Sequence, residues 1–185
     1  MPAVGGPMGY SFEHVDLPEP AASARAHAEA CMDLNGSCGN WPQCYEEYSS
    51  LAAAYQFALN VAGMEFCRER MRSAGMTYQA TPQPFPDWPF DGVDDWRNDQ
   101  RRRDAYKEAE RAASAQTSPG KVGIPEFKLT SNGPWVVGQT EIEQALILYE
   151  ASPTSPRAEW ETDELWLAWL DWLRETRTHG GFTVS

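Results

Sequence analysis

His27, Cys31, Cys38 and Cys44 place four soft metal donors in one short stretch of the chain. On a helix, His27 and Cys31 fall one turn apart, so imidazole and thiolate can address one ion, and zinc favours these donors in a tetrahedral array. The stretch has no Cys-x-x-Cys knuckle, and the remaining gaps match no zinc motif. The cysteines therefore read as reduced, structural thiols, and no metal or other cofactor is assigned.

A second constellation lies between residues 82 and 96, where Phe85, Trp88, Phe90 and Trp96 alternate with Asp87, Asp91, Asp94 and Asp95. Aromatic anchors ringed by carboxylates suit a basic protein partner, and a stiff extended loop loses little entropy on docking. The competing reading folds these rings back over a helix. A third set joins Lys128, Ser131, Asn132 and Trp135 to His179-Gly180-Gly181. A terminal strand paired with a hairpin would gather them, and an ammonium group with glycine N–H groups could hold a small anion. The simpler account has Ser131-Asn132 building a turn while His179 and the glycines cap a helix.

For catalysis the sequence offers little. There is no Gly-x-Ser-x-Gly elbow, phosphate-binding glycine loop, dinucleotide fingerprint or His-Glu-x-x-His helix. Histidines occur only at positions 14, 27 and 179, which leaves few general acid–base candidates, although carboxylate pairs stay open.

The elements that must position these residues follow from periodicity and punctuation. Gly9 to Glu13 alternates Tyr10 and Phe12 with small or polar residues and predicts a short strand. Pro18 to Leu34 predicts an alanine-rich helix that Asn35-Gly36 stops. Asn40, with Gln43 three residues on and Pro42 in the first turn, predicts a capped helix to about Ala74, with Tyr48, Leu51, Tyr55, Leu59, Ala62 and Phe66 along one face. Four prolines between 81 and 96 predict an extended loop. Asp94 or Asp95 then caps a polar helix to about Ser114, and Thr117-Ser118-Pro119-Gly120 is a hinge.

In the last third, Phe127 to Leu129 and Trp135 to Val137 predict a hairpin across Ser131-Asn132-Gly133-Pro134. Thr140 with Glu143 predicts a capping box for a helix to about Glu150, and residues 152–156 read as a linker. Thr162 opens a final helix bearing Leu165, Trp166, Trp169, Leu170, Trp172 and Leu173 over more than half its circumference. Such a helix is packed on two sides, or packed on one and offered to a partner on the other. Phe182 to Val184 returns as a strand.

Composition bounds the answer. A chain of 185 residues, 42% hydrophobic and 12% aromatic, can close one core. Its formal charge of -12, from 15 Lys plus Arg against 27 Asp plus Glu, opposes direct nucleic-acid binding, which needs clustered cations. The amino end lacks a basic region followed by an apolar run, and no apolar stretch is long enough to span a bilayer, so a cytoplasmic protein without membrane contact is expected.

The stretch Ile124-Pro125-Glu126-Phe127-Lys128-Leu129-Thr130-Ser131-Asn132-Gly133-Pro134-Trp135-Val136-Val137, with the Trp-rich helix leading into His179-Gly180-Gly181-Phe182-Thr183-Val184, resembles a group of uncharacterised small proteins of actinobacteria and their phages. The resemblance covers about the last third of the chain. In that group the turn usually reads Ser-Asn-Asp-Gly-Trp, where this chain has Gly133-Pro134 before Trp135. It implies a source and a fold and brings no activity.

The expectation is one α+β domain, 1–185. A helical part at about 20–118 precedes a hairpin and Trp-helix part at about 121–185, with a small antiparallel sheet of hairpin and terminal strand, which the Tyr10 strand can join, packed against several helices. The expected function is a non-catalytic intracellular protein that binds another protein through the acidic aromatic loop and adjacent helix. The alternatives are an acidic mimic of nucleic acid that inhibits a DNA- or RNA-binding protein, and a small-molecule binder or enzyme using Lys128 and His179.

Overall fold

A computed structural model describes residues 9–33, 41–130 and 133–184 and divides the chain into two units. One comprises residues 1–15, 56–82 and 117–185, and the other residues 16–55 and 83–116. The division is not sequential, and it cuts the predicted 40–74 helix, whose second half, from residue 56, belongs to the sheet unit. Asn35-Gly36 and the Asn40 cap lie outside the described residues.

In the sheet unit, β1 (Gly9–His14) buries every second residue, Tyr10, Phe12 and His14, as the pleat requires. It is antiparallel to β2 (Gln56–Asn60), with Phe12 opposite Phe57, and to β6 (Gly181–Val184), with His14 opposite Phe182. β5 (Trp135–Gly138) pairs with β6, Val137 facing Phe182, so the order is β2-β1-β6-β5. A separate parallel pair joins β3 (Thr77–Tyr78) to β4 (Ile124–Pro125). The molecule is thus an α+β protein with a small antiparallel sheet packed on helices.

The predicted 40–74 helix breaks into α2 (Trp41–Ala52), a 3-10 turn at Ala53–Tyr55, β2 and α3 (Val61–Ser73). Leu59, read as part of a helical stripe, instead sits opposite Tyr10, with Phe57 opposite Phe12. Tertiary pairing overrides local periodicity here, and Asn60 stops the strand by accepting a 2.7 Å hydrogen bond from the Gly63 N–H at the start of α3. The predicted strand at Phe127 is a 3-10 turn, Glu126–Leu129, so β5 finds its partner in β6 and no hairpin forms.

α6 (Gln139–Ala151), α7 (Thr154–Trp160) and α8 (Glu164–Thr176) complete the unit. Asp163, rather than Thr162, caps α8 by accepting from the Trp166 N–H at 3.0 Å. Glu141, rather than the Thr140 and Glu143 pair, closes the start of α6 by accepting from the Gly138 N–H at 2.9 Å. α8 is packed on two sides. Trp169 meets Phe12 at 5.2 Å, Phe57 at 5.9 Å and Phe182 at 6.0 Å on the sheet, while Trp166 meets Tyr149 of α6 at 5.6 Å. These tilted and edge-on rings, with Trp166 and Trp169 fully buried, are the heart of the core.

The helical unit holds α1 (Ala21–Asp33), which packs on α2, and α4 (Val93–Asn98) followed by α5 (Gln100–Ser114). Asp99 separates the last two and caps α5 by accepting from the Arg102 N–H at 2.9 Å, in place of Asp94 or Asp95. The buried apolar residues of this unit are Ala21, Ala28, Cys31, Ala52 and Phe90, a thin core among the described residues. None of the helices among the described residues is long and apolar enough to cross a membrane.

Candidate functional site

The acidic aromatic loop is anchored from α5. Arg102 reaches back to donate to the Pro89 carbonyl at 3.0 Å and to both Asp95 carboxylate oxygens at 3.0 and 3.2 Å, with its guanidinium 5.1 Å from the Phe90 ring centre. Arg103, buried, donates to the Trp96 carbonyl at 2.6 Å and lies 5.5 Å from the Trp96 ring. Gln116 closes the loop's base by accepting from the Gln83 N–H at 2.6 Å and donating to the Gln83 carbonyl at 3.1 Å. An arginine run that reads in sequence as a solvated helix face is therefore the clamp that shapes this loop.

Four rings share one cluster. Trp88 stacks on Trp96 with centres 4.9 Å apart and 23° between planes, and meets Phe90 and Tyr106 edge-on at 5.1 and 5.3 Å. Phe90 is 5% exposed and Trp96 and Phe85 are half-buried, whereas Trp88 is 55% exposed. The four aromatic anchors predicted for this loop thus divide: Trp88 faces solvent, and Phe90 and Trp96 support it from beneath. Asp87, Asp91 and Asp94 are exposed around it, while Asp95 is held by Arg102. Arg97 lies 3.8 Å from Asp94 and Arg102 3.0 Å from Asp95, so two cations stand among these carboxylates.

Lys128 has a different task from anion capture. It is fully buried, and its ammonium donates to both Glu141 carboxylate oxygens at 2.9 Å and to the Val136 carbonyl at 2.7 Å, which uses all three of its hydrogens. Burial pushes the Lys128 pKa down and the Glu141 pKa up, and their mutual attraction opposes both shifts. Trp135 is also buried, edge-on to Phe127 at 4.8 Å. Ser131 and Asn132 lie outside the described residues. Lys128 and Trp135 therefore build the interior of the sheet unit, and the Lys128 ammonium is fully committed to partners within it.

His179 stacks instead on His14, 4.5 Å between centres and 18° between planes, and His14 lies 4.5 Å from the Trp172 ring. Burial, then the neighbouring His179, holds the His14 pKa below 6.5, while Glu175 and Glu13 pull it up. Alternation in β1 already turns His14 toward the core; that it meets His179 depends on β6 lying beside β1, which no local pattern encodes. Glu175 completes a group of donor atoms here, all within 4.8 Å of one another.

His27, Cys31 and Cys44 form the other such group. The Cys31 Sγ lies 3.6 Å from His27 Nε2 and 3.6 Å from Cys44 Sγ, with His27 and Cys31 on α1 and Cys44 on α2. Cys38 lies outside the described residues. Cys67, the remaining cysteine, is buried in α3, where loss of solvent pushes its pKa up to about 12 and keeps it a thiol.

No protein-family model, curated protein or solved structure matches the chain.

Proposed function

We propose that the chain is a non-catalytic intracellular protein of actinobacterial or phage origin that binds a basic protein partner through Trp88 and the carboxylates around it. The observation that carries this reading is an indole 55% exposed yet held in one orientation by Trp96, Phe90 and Tyr106. A large aromatic surface whose orientation is already fixed loses little freedom on docking, which is the property of an interface anchor. Asp87, Asp91 and Asp94 would give such a partner its complementary charge, and an arriving Arg or Lys could lie over the Trp88 face.

The test is affinity capture with the full chain beside Trp88→Ala, with Val122→Ala, an exposed apolar change in the other unit, as control. A hot-spot anchor costs at least about 2 kcal/mol on truncation, so the partner retained by the control should bind Trp88→Ala roughly 30-fold more weakly. Its retention should also fall with added salt, and less steeply in Asp87→Asn/Asp91→Asn. Equal retrieval by Trp88→Ala and the unaltered chain overturns the reading.

A further inference from the structure

We infer that His27, Cys31 and Cys44 bind one zinc ion that ties α1 to α2. This goes beyond the protein-binding reading and does not depend on Trp88. Tetrahedral zinc, with bonds of about 2.3 Å to sulfur and about 2.0 Å to nitrogen, sets its ligands about 3.8 Å apart sulfur to sulfur and about 3.5 Å apart sulfur to nitrogen. The observed separations are 3.6 Å for Cys31 Sγ to Cys44 Sγ and 3.6 Å for Cys31 Sγ to His27 Nε2. All three donor atoms lie within 4.8 Å of one another, and the two cysteines are thiols rather than a disulfide.

The donor set selects the metal. Two thiolates and an imidazole are soft and borderline ligands that zinc prefers, and two thiolate charges neutralise a divalent ion. The trio leaves the fourth coordination position to a further donor, water included. A cleft of about 240 Å³ has His27 and Cys44 in its wall and Glu47 beside them, so the site is reachable from solvent.

A second, independent observation is the weak interior of this unit. Among the described residues its buried apolar side chains are three alanines, Cys31 and Phe90. Helical units below about 70–80 residues with so little core usually need a staple, and a metal joining two helices is one. The His14, Glu175 and His179 group lacks such support. Its two imidazoles are stacked face to face, so their ring nitrogens run in parallel planes and do not converge on one point.

The experiment uses the full chain, purified with reductant and titrated with Zn²⁺ and with Co²⁺ as a spectroscopic substitute. One Zn²⁺ per chain should survive gel filtration and raise the melting temperature. The Co²⁺ form should show the thiolate charge-transfer band and intense visible bands of a tetrahedral site. His27→Ala, at an exposed position, and Cys44→Ser should each weaken Zn²⁺ binding at least tenfold, Cys44→Ser with a smaller charge-transfer band and His27→Ala with that band retained. Cys67→Ala should leave metal binding unchanged. Less than stoichiometric Zn²⁺, a Co²⁺ spectrum without thiolate character, or an affinity in His27→Ala or Cys44→Ser equal to that of the unaltered chain overturns the proposal. So does a Cys31–Cys44 disulfide in protein prepared without reductant, when the reduced protein binds no metal.

Discussion

Replacing Lys128 by methionine keeps the volume of the side chain and removes its charge, which leaves the Glu141 carboxylate buried with the Gly138 N–H as its remaining hydrogen-bond partner among the described residues. Breaking one side of a buried pair costs about 3–5 kcal/mol. The structure also limits that cost, because a stranded carboxylate can take up a proton. From an unfolded Glu pKa of about 4.3, protonation at pH 7 costs about 3.7 kcal/mol, and at pH 5.5 only about 1.6 kcal/mol. The Val136 carbonyl loses its 2.7 Å donor in either case, adding about 1 kcal/mol that does not vary with pH. Burial already holds the folded pKa of Glu141 above its unfolded value, and losing Lys128 raises it further, so in the variant the stability it contributes is present at low pH and lost as pH climbs. Urea unfolding of Lys128→Met against the unaltered chain should therefore show a penalty of about 4–5 kcal/mol at pH 7 that shrinks to about 2–3 kcal/mol at pH 5.5. Adding Glu141→Gln should recover a large part of the loss at pH 7. A penalty under about 1 kcal/mol at pH 7, or one that is the same at both pH values, refutes this account of the pair.

Two further outcomes follow from groups in the same unit. Burial holds the folded His14 pKa below 6.5, so the unfolded chain takes up a proton first; stability is full above about pH 6.5 and falls as pH drops below it, by at most about 1.4 kcal/mol per pH unit. His14→Phe should flatten that slope in unfolding measured at pH 7.5 and 5.5, and an unchanged slope would assign the effect to other groups. At Gly181, where φ is +106°, an added Cβ would sit 2.0 Å from the Val137 carbonyl oxygen, so Gly181→Ala should cost about 3 kcal/mol by thermal or urea unfolding. A loss below about 1 kcal/mol would mean that β5 and β6 can separate freely.

The carboxyl end was legible because its signals are local. Indoles at helical spacing and an acidic first turn specify α8 without help from distant chain, although it ends at Thr176, ahead of Gly180-Gly181, whose second glycine opens β6. Residues 56–60 were not, because Leu59 continues the helical spacing of Tyr55 and Ala62 while Phe57 and Leu59 also alternate as a strand, and the choice is made by β1, some 45 residues earlier in the chain. Lys128 was misread for a related reason: a lysine beside a turn looks available to solvent, and the partner that buries it, Glu141, was assigned no role in the helix cap. For the aromatic loop, Trp88, Phe90 and Trp96 were legible as neighbours, whereas Tyr106 joins them from α5 and Arg102 and Arg103 reach back from the same helix to hold the loop, contacts that no local pattern encodes. The His27 and Cys31 pairing followed from helical spacing alone, whereas Cys44 joins them through the packing of α2 on α1, which sequence separation does not reveal.

β6 occupies an interior position in its sheet, flanked by β1 from the opposite end of the chain and by β5. During synthesis β1 emerges long before β6, so Phe12 must wait for Phe182, the ring that meets both Phe12 at 5.6 Å and Trp169 at 6.0 Å. Closure spanning some 170 residues is entropically slow and comes last. Until then Phe12 lacks one of its ring partners, and a chain cut before Gly181 loses a middle strand rather than a fringe.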